Sequence, residues 1–313
     1  MTTYIIRRLF ATIPVMVVVA LFVFLLLQLT PGDPAAVIAG DEASPAAIEG
    51  IRRKLGLDLP LWQQFGIYVW NLLRGDLGTS IFSNLPVLTL VKQRLEPSIV
   101  LALSTLVVAI SFAIPMGVLA AWKVGTWIDR VVMGFSVLGF AVPVFLIGYF
   151  LNYIFAIELH WLPVQGYQPL AQGIGQTARS IALPSFALGM VYMALIARIT
   201  RASMVEVLSQ DYIRTARAKG VATSVVLLRH ALKNAAVPIV TVIGIGLALL
   251  ISGVVITETV FNIPGLGRLT VDAILKRDYP IIQGLIILFA SVKVLVNLMI
   301  DISYAFFDPR IRY

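Results

Sequence analysis

The chain has no cysteine among its 313 residues. That excludes a disulfide framework, a thiolate metal site and a cysteine nucleophile. Histidine is nearly as scarce, with only His160 and His230. Charged residues make up 13% of the chain, against roughly 25% in soluble domains. No G-x-x-x-x-G-K-[ST] run occurs, so the usual loop for cradling ATP phosphates is missing. No G-x-S-x-G occurs either, which counts against a serine intramembrane protease.

What the chain has in excess is apolar surface. Hydrophobic residues account for 59%, and the mean hydropathy is +0.93. One globule cannot bury that much, so the sequence reads as an integral membrane protein. The net charge of +8 does not point to nucleic acid. Its basic residues sit in short loops beside apolar spans, where membrane topology accounts for them.

Arg7 and Arg8 precede an apolar run over 9–29, longer than the core of a signal peptide and long enough for a first, uncleaved span. Residues 30–97 are polar and turn-rich. Pro31-Gly-Asp-Pro34 stops the first helix. Ser44-Pro45 predicts a helix through Lys54 ended by Gly56, and Pro60 opens another to about Leu73. Leu61, Trp62, Phe65, Val69 and Leu72 fall near one face of that second helix, for the membrane surface or a neighbouring element. Five more apolar runs follow, at 98–122, 131–157, 182–199, 235–256 and 281–306. The expected fold is therefore an all-α membrane protein with six transmembrane helices and a small external helical segment (30–97). Residues 98–313 form its five-helix core. Pro115, Pro143, Pro184 and Pro238 interrupt the runs, and neighbouring helices must satisfy the backbone groups they free.

Charge sets the orientation. With the N-terminus inside, inner segments carry 13 basic residues against the acids Asp129, Glu206, Asp211 and Asp308. Outer segments carry ten basic residues against eleven acids, so both termini and the loop 201–234 are expected in the cytoplasm.

The most polar part of that loop is Asp211-Tyr-Ile-Arg-Thr-Ala-Arg-Ala-Lys-Gly220. Asp211 is placed to N-cap a short helix and Gly220 to close it in a left-handed conformation. Ala216 and Gly220 make a small-residue seam at i,i+4, beside Arg214 and Arg217 at i,i+3. Spacing alone fits a helix that docks on another protein and ordinary cytoplasmic-loop charges equally well. A second polar set, Lys293, Asn297 and Asp301, recurs at i, i+4 and i+8 inside the last span. A mid-membrane Lys costs about 2.5–3.5 kcal/mol and must face protein or water. The ladder fits a translocation path or subunit seam as well as a purely structural role. The expectation for Lys293 is the bundle interior or a partner subunit, not lipid.

Tyr212-Ile-Arg-Thr-Ala-Arg-Ala-Lys-Gly220, followed by Arg229-His-Ala-Leu-Lys233 and Pro238, resembles the "EAA" loop of ABC-importer permeases, and more narrowly their dipeptide/oligopeptide/nickel branch. Pro31-Gly-Asp-Pro34, Gly75-Asp-Leu-Gly78, Asn262-Ile-Pro-Gly-Leu-Gly-Arg268 and Asp308-Pro-Arg-Ile-Arg-Tyr313 extend the resemblance over nearly the whole chain. Arg214 departs from the Glu common in the wider family, and the proline of the loop comes late.

The resemblance implies a type I permease fold, with Arg214, Thr215, Ala216, Arg217, Ala218, Lys219 and Gly220 as the coupling helix that docks on an ATPase. It also implies a short external helix or re-entrant segment near Gly265 and Gly267, which lack the strand a nucleotide loop needs. The implied setting is a bacterial inner membrane. The implied partners are a homologous second permease, two cytoplasmic ATPase subunits, an external substrate-binding protein and membrane lipid, with no nucleic acid. This chain is expected to hold no cofactor and to catalyse nothing itself, ATP and Mg belonging to partner subunits. A stand-alone secondary transporter is the alternative, but neither an internal repeat nor several midplane charges are evident. Co-purification with a stoichiometric ATPase separates the two.

Overall fold

The computed structural model describes residues 2–29, 35–36, 44–54 and 56–307. The Pro31–Pro34 stop, the Asp308–Tyr313 motif and the side chain of Asp301 lie outside the described residues. The described chain is almost entirely helical, and the only extended pairing in it is an isolated bridge between Thr79 and Pro86. In chain order the helices are α1 (Thr2–Leu29), α2 (Pro45–Lys54), α3 (Leu61–Leu73), α4 (Val87–Trp122), α5 (Trp127–Ala141) and α6 (Val144–Glu158). They continue as α7 (Ile174–Leu208), α8 (Asp211–Ala218), α9 (Thr223–Asn234), α10 (Ala236–Val260), α11 (Leu266–Lys276) and α12 (Tyr279–Phe307).

Three helices are long and apolar enough to cross a bilayer, or up to five spans if each of two bent pairs is counted as one. Phe10–Leu26 of α1 adds a shorter apolar stretch. The protein is thus a multi-pass helical membrane protein. The run over 131–157, expected as one span, is broken into two helices, α5 and α6, bent by 106°, the geometry of a broken span or a re-entrant segment. Pro143 has no N–H and forces Val142 into an extended conformation (φ −91°, ψ 123°). At 15 residues, α5 is about 22 Å long, short of a roughly 30 Å hydrocarbon core.

One compact unit comprises residues 94–268 with 295–313. Its centre is α7, whose apolar window is 72% buried against 22% for that of α4. Leu188, Met193 and Ile196 of α7 are fully buried among residues that include Leu101 and Leu250. Small residues bring the axes together. A Cβ on Gly139 would stand 2.8 Å from that of Ala194, and one on Gly117 would stand 2.5 Å from that of Thr200. In membranes, where lipid is as apolar as Leu, such close backbone packing is a main source of helix association.

The second unit comprises residues 2–93 with 269–294. Here α2 starts and stops where Ser44-Pro45 and Gly56 predict, with Gly56 at φ +67°. Pro60 N-caps α3 and Gln64 ties back to the Leu59 carbonyl at 2.8 Å. Phe65 and Tyr68 of α3 pack on Phe24, with ring centroids 5.4 and 5.9 Å away. Tyr68 and Leu72 pack towards α1, while Leu61 and Trp62, expected on the same face, are exposed in the chain. The Gly75–Pro86 loop is held by buried Asp278. Its carboxylate accepts from the Ser80 hydroxyl at 2.6 Å and from the Ile81 amide at 3.3 Å.

Candidate functional site

Helix α8 begins one residue earlier than capping rules predict. Ser209 and Gln210 turn off the end of α7, their amides bonded to Glu206 and Val207. Gln210 is therefore the extended residue before α8 (φ −72°, ψ 150°). Asp211 is the first helical residue, not the N-cap. Its carboxylate accepts from Arg214 at 3.3 Å and its carbonyl from the Thr215 hydroxyl at 3.0 Å. The acid still sits at the positive end of the helix dipole.

The other end follows the prediction. Gly220 has φ +76°, its amide bonds the Arg217 carbonyl at 3.0 Å, and the Val221 amide bonds that of Ala216 at 3.2 Å. These two bonds make the Schellman closure that a left-handed glycine permits.

Burial separates the two faces of α8. Ile213 is 0% exposed and packs with Met204, Val226, Leu227 and Ala231. Ala216 is half-buried on that side. Tyr212, Arg214, Thr215, Arg217, Ala218, Lys219 and Gly220 are exposed. The seam expected to face a partner is therefore split: Ala216 turns to the chain's own core and Gly220 to the surface. What α8 presents outward is a cationic face hung on one apolar anchor.

The base of this region is braced by an ion pair. Arg201 donates through Nε and Nη2 to the two carboxylate oxygens of Asp129, the second bond at 2.7 Å. The Gly125 amide adds a bond to Asp129 Oδ2 at 2.9 Å. Asp129 is 7% exposed and Arg201 25%. Paired geometry of this kind fixes the planes of both groups. The pair joins the start of α5 to α7 about two turns before that helix ends at Leu208. Sequence reasoning placed Asp129 only as a loop acid.

Lys293 and Asn297 lie one turn apart on α12 and both are exposed on the surface of the chain. Among the described residues Lys293 has no ion-pair partner. On this helix the buried positions are taken by Leu285, Ile287 and Val296.

The carboxylate that is buried belongs to Glu258, 0% exposed near the end of α10. Ser98 donates its hydroxyl to Glu258 Oε1, and the Arg268 amide donates to Oε2 at 3.0 Å. The Leu266 amide donates to Ser98 Oγ at 2.8 Å. The first amides of α11 are thus capped by a side chain from another helix. A Cβ on Gly265 would fall on that carboxylate, and one on Gly267 would stand 2.5 Å from Val255 Cα. The two glycines serve close approach to Glu258, not a nucleotide. In the sequence Glu258 stands out only as an acid at the end of an apolar run, shortly before Asn262-Ile-Pro-Gly-Leu-Gly267.

The described residues thus form a bundle of long apolar helices with a short, exposed cationic helix beside the end of α7. Comparison with known proteins shows the family. Residues 113–313 match the model of the binding-protein-dependent transport system inner membrane component, and residues 1–113 match that of the N-terminal part of such components. The chain belongs to this family, in its peptide ABC-transporter permease branch. It is 54% identical over the full length of both chains to the probable peptide ABC transporter permease protein y4tP of Sinorhizobium fredii. It is 44% identical, again over both full lengths, to the glutathione transport system permease protein GsiC of Shigella flexneri and of Escherichia coli K12.

Proposed function

We propose that the chain is one of two transmembrane subunits of an ATP-driven importer that moves peptides or a similar small solute across a bacterial inner membrane. In this reading six spans place both termini and the 201–234 loop in the cytoplasm, and residues 30–97 and 258–280 outside. A homologous permease completes the pathway, two ATPases bind and hydrolyse Mg-ATP, and an external binding protein delivers cargo. The relatives named for peptide and glutathione transport support this cargo class.

The observation that carries the reading is the build of α8: buried Ile213 on one side, and exposed Arg214, Arg217 and Lys219 on the other. A helix held by an apolar anchor transmits a push on its outer face to the core it sits in. Arg201–Asp129 stiffens the segment next to it. When ATP draws the two ATPases together, their grip on α8 pulls it sideways, and the bundle opens outward. Lys293 and Asn297, exposed on the isolated chain, are satisfied at the seam with the second permease or in the water of the pathway.

The test is Arg217→Glu in the reconstituted complex. The change reverses a charge that has no ion-pair partner among the described residues. ATP hydrolysis stimulated by the loaded binding protein, and uptake with it, should fall together while membrane insertion persists. Normal coupling in this variant refutes the docking role.

A further inference from the structure

Between α6 and α7 the chain folds a pocket of about 390 Å³, lined by His160, Trp161, Gln168, Gln176, Arg179 and Ser180 among others. It is an open depression on the surface, with His160, Trp161, Gln168, Gln176 and Arg179 all exposed. Its walls are fixed without using up its polar groups. His160 sits at φ +55° and reverses the chain after α6. The Trp161 amide bonds the Phe155 carbonyl at 2.9 Å, and the two rings pack 5.8 Å apart. Arg179 Nη2 donates to the Trp161 carbonyl at 3.1 Å, leaving the rest of its guanidinium. Buried Ser180 donates to the Thr177 carbonyl at 2.8 Å and accepts from the Gln168 amide at 3.2 Å. The Gly166 amide is held by the Phe261 carbonyl at 2.9 Å. Among the described residues nothing occupies the side-chain amides of Gln168 and Gln176.

The charge of this pocket has one sign. No Asp or Glu lines it. Glu158 gives His160 only its main-chain carbonyl, at 3.2 Å. The Glu96 carboxylate is taken by the Tyr167 hydroxyl at 2.9 Å and the Leu170 amide at 2.8 Å. A guanidinium, two primary amides and an exposed indole face are complementary to one chemistry. The guanidinium pairs with a terminal carboxylate in two-pronged fashion. Each glutamine both donates and accepts, as a peptide bond requires. The indole covers an apolar side chain.

We propose that this pocket binds the carboxylate end of a short peptide, on the outer side of the membrane and apart from the α8 docking face. The proposal rests on the reading of the chain as a peptide-importer permease, and names a contact for cargo after its release from the binding protein. In the assembled complex in nanodiscs, without binding protein, radiolabelled trialanine should bind saturably in equilibrium dialysis. Trialanine amide should fail to compete. Arg179→Gln keeps a donor for the Trp161 carbonyl, so the loop stays pinned, and it should weaken binding at least about tenfold. Gln176→Ala should weaken it less.

Equal competition by the amide, or unchanged affinity in Arg179→Gln, overturns the proposal. So does loss of binding-protein docking in Arg179→Gln when trialanine never binds, which would assign the pocket to an acidic group of that protein. Binding-protein-stimulated ATP hydrolysis by the unaltered complex, measured on the same sample, reports on the importer reading alone. Its absence sinks that reading. Its presence without trialanine binding sinks only the pocket.

Discussion

Ser98 and Glu258 stand 160 residues apart in sequence and share a hydrogen bond inside the protein, the serine hydroxyl donating to the carboxylate. Ser98 also accepts from the Leu266 amide, so one hydroxyl links α4, α10 and the head of α11. The arrangement exists because the first turn of a helix has free amides, and a buried segment has no water to satisfy them.

Removing that carboxylate should be costly. Glu258→Ala strands the Arg268 amide and the Ser98 hydroxyl, and should destabilise the protein by about 2–4 kcal/mol. Glu258→Gln, which keeps one carbonyl acceptor, should lose less. Thermal unfolding of the solubilised complex measures both, and an Ala variant as stable as the parent refutes the cap.

Gly265→Ala tests the same contact from the other side. Its new methyl group collides with the Glu258 carboxylate and should cost about 1–3 kcal/mol of overpacking. Combined with Glu258→Ala it should cost far less than the sum, because the collision has gone. Additive losses would separate the two residues.

Arg201→Gln leaves Asp129 buried with only the Gly125 amide as partner. A loss of about 1–3 kcal/mol is expected, with the partial exposure of Arg201 holding it at that level. Coupling of ATP hydrolysis to uptake should fall more than expression does. An Asp129→Asn, Arg201→Gln double change that loses no more than either alone would confirm the pair.

Gly220→Val places a β-branched residue at φ +76° and should cost at least about 1 kcal/mol locally. The helix end frays and transport drops, while the rest of the chain inserts normally. Full transport by Gly220→Val would show that the Schellman closure is dispensable.

The orientation is open to labelling, because the chain has no cysteine of its own. Ser83, Gln172 and Ser224 are all exposed. Single cysteines at 83 and 172 should react with an impermeant maleimide in intact cells, and one at 224 should not. Outside labelling of position 224 would overturn the cytoplasmic placement of α8.

Local chemistry made several features legible in the sequence. The length and hydropathy of the runs pointed to a membrane protein, and Gly56 and Gly220 marked helix ends. Each is decided within a few residues, by helix period, by solvent or by backbone conformation. The 106° bend at Pro143, the burial of Ile213 and the exposure of Lys293 were decided by tertiary structure. So were the pairing of Arg201 with Asp129 and the capping of α11 by Glu258. A charge in a sequence shows that it needs a partner but does not reveal which one. The partner is whichever group the packed helices bring within about 3 Å, and those groups lie 72 and 10 residues away along the chain.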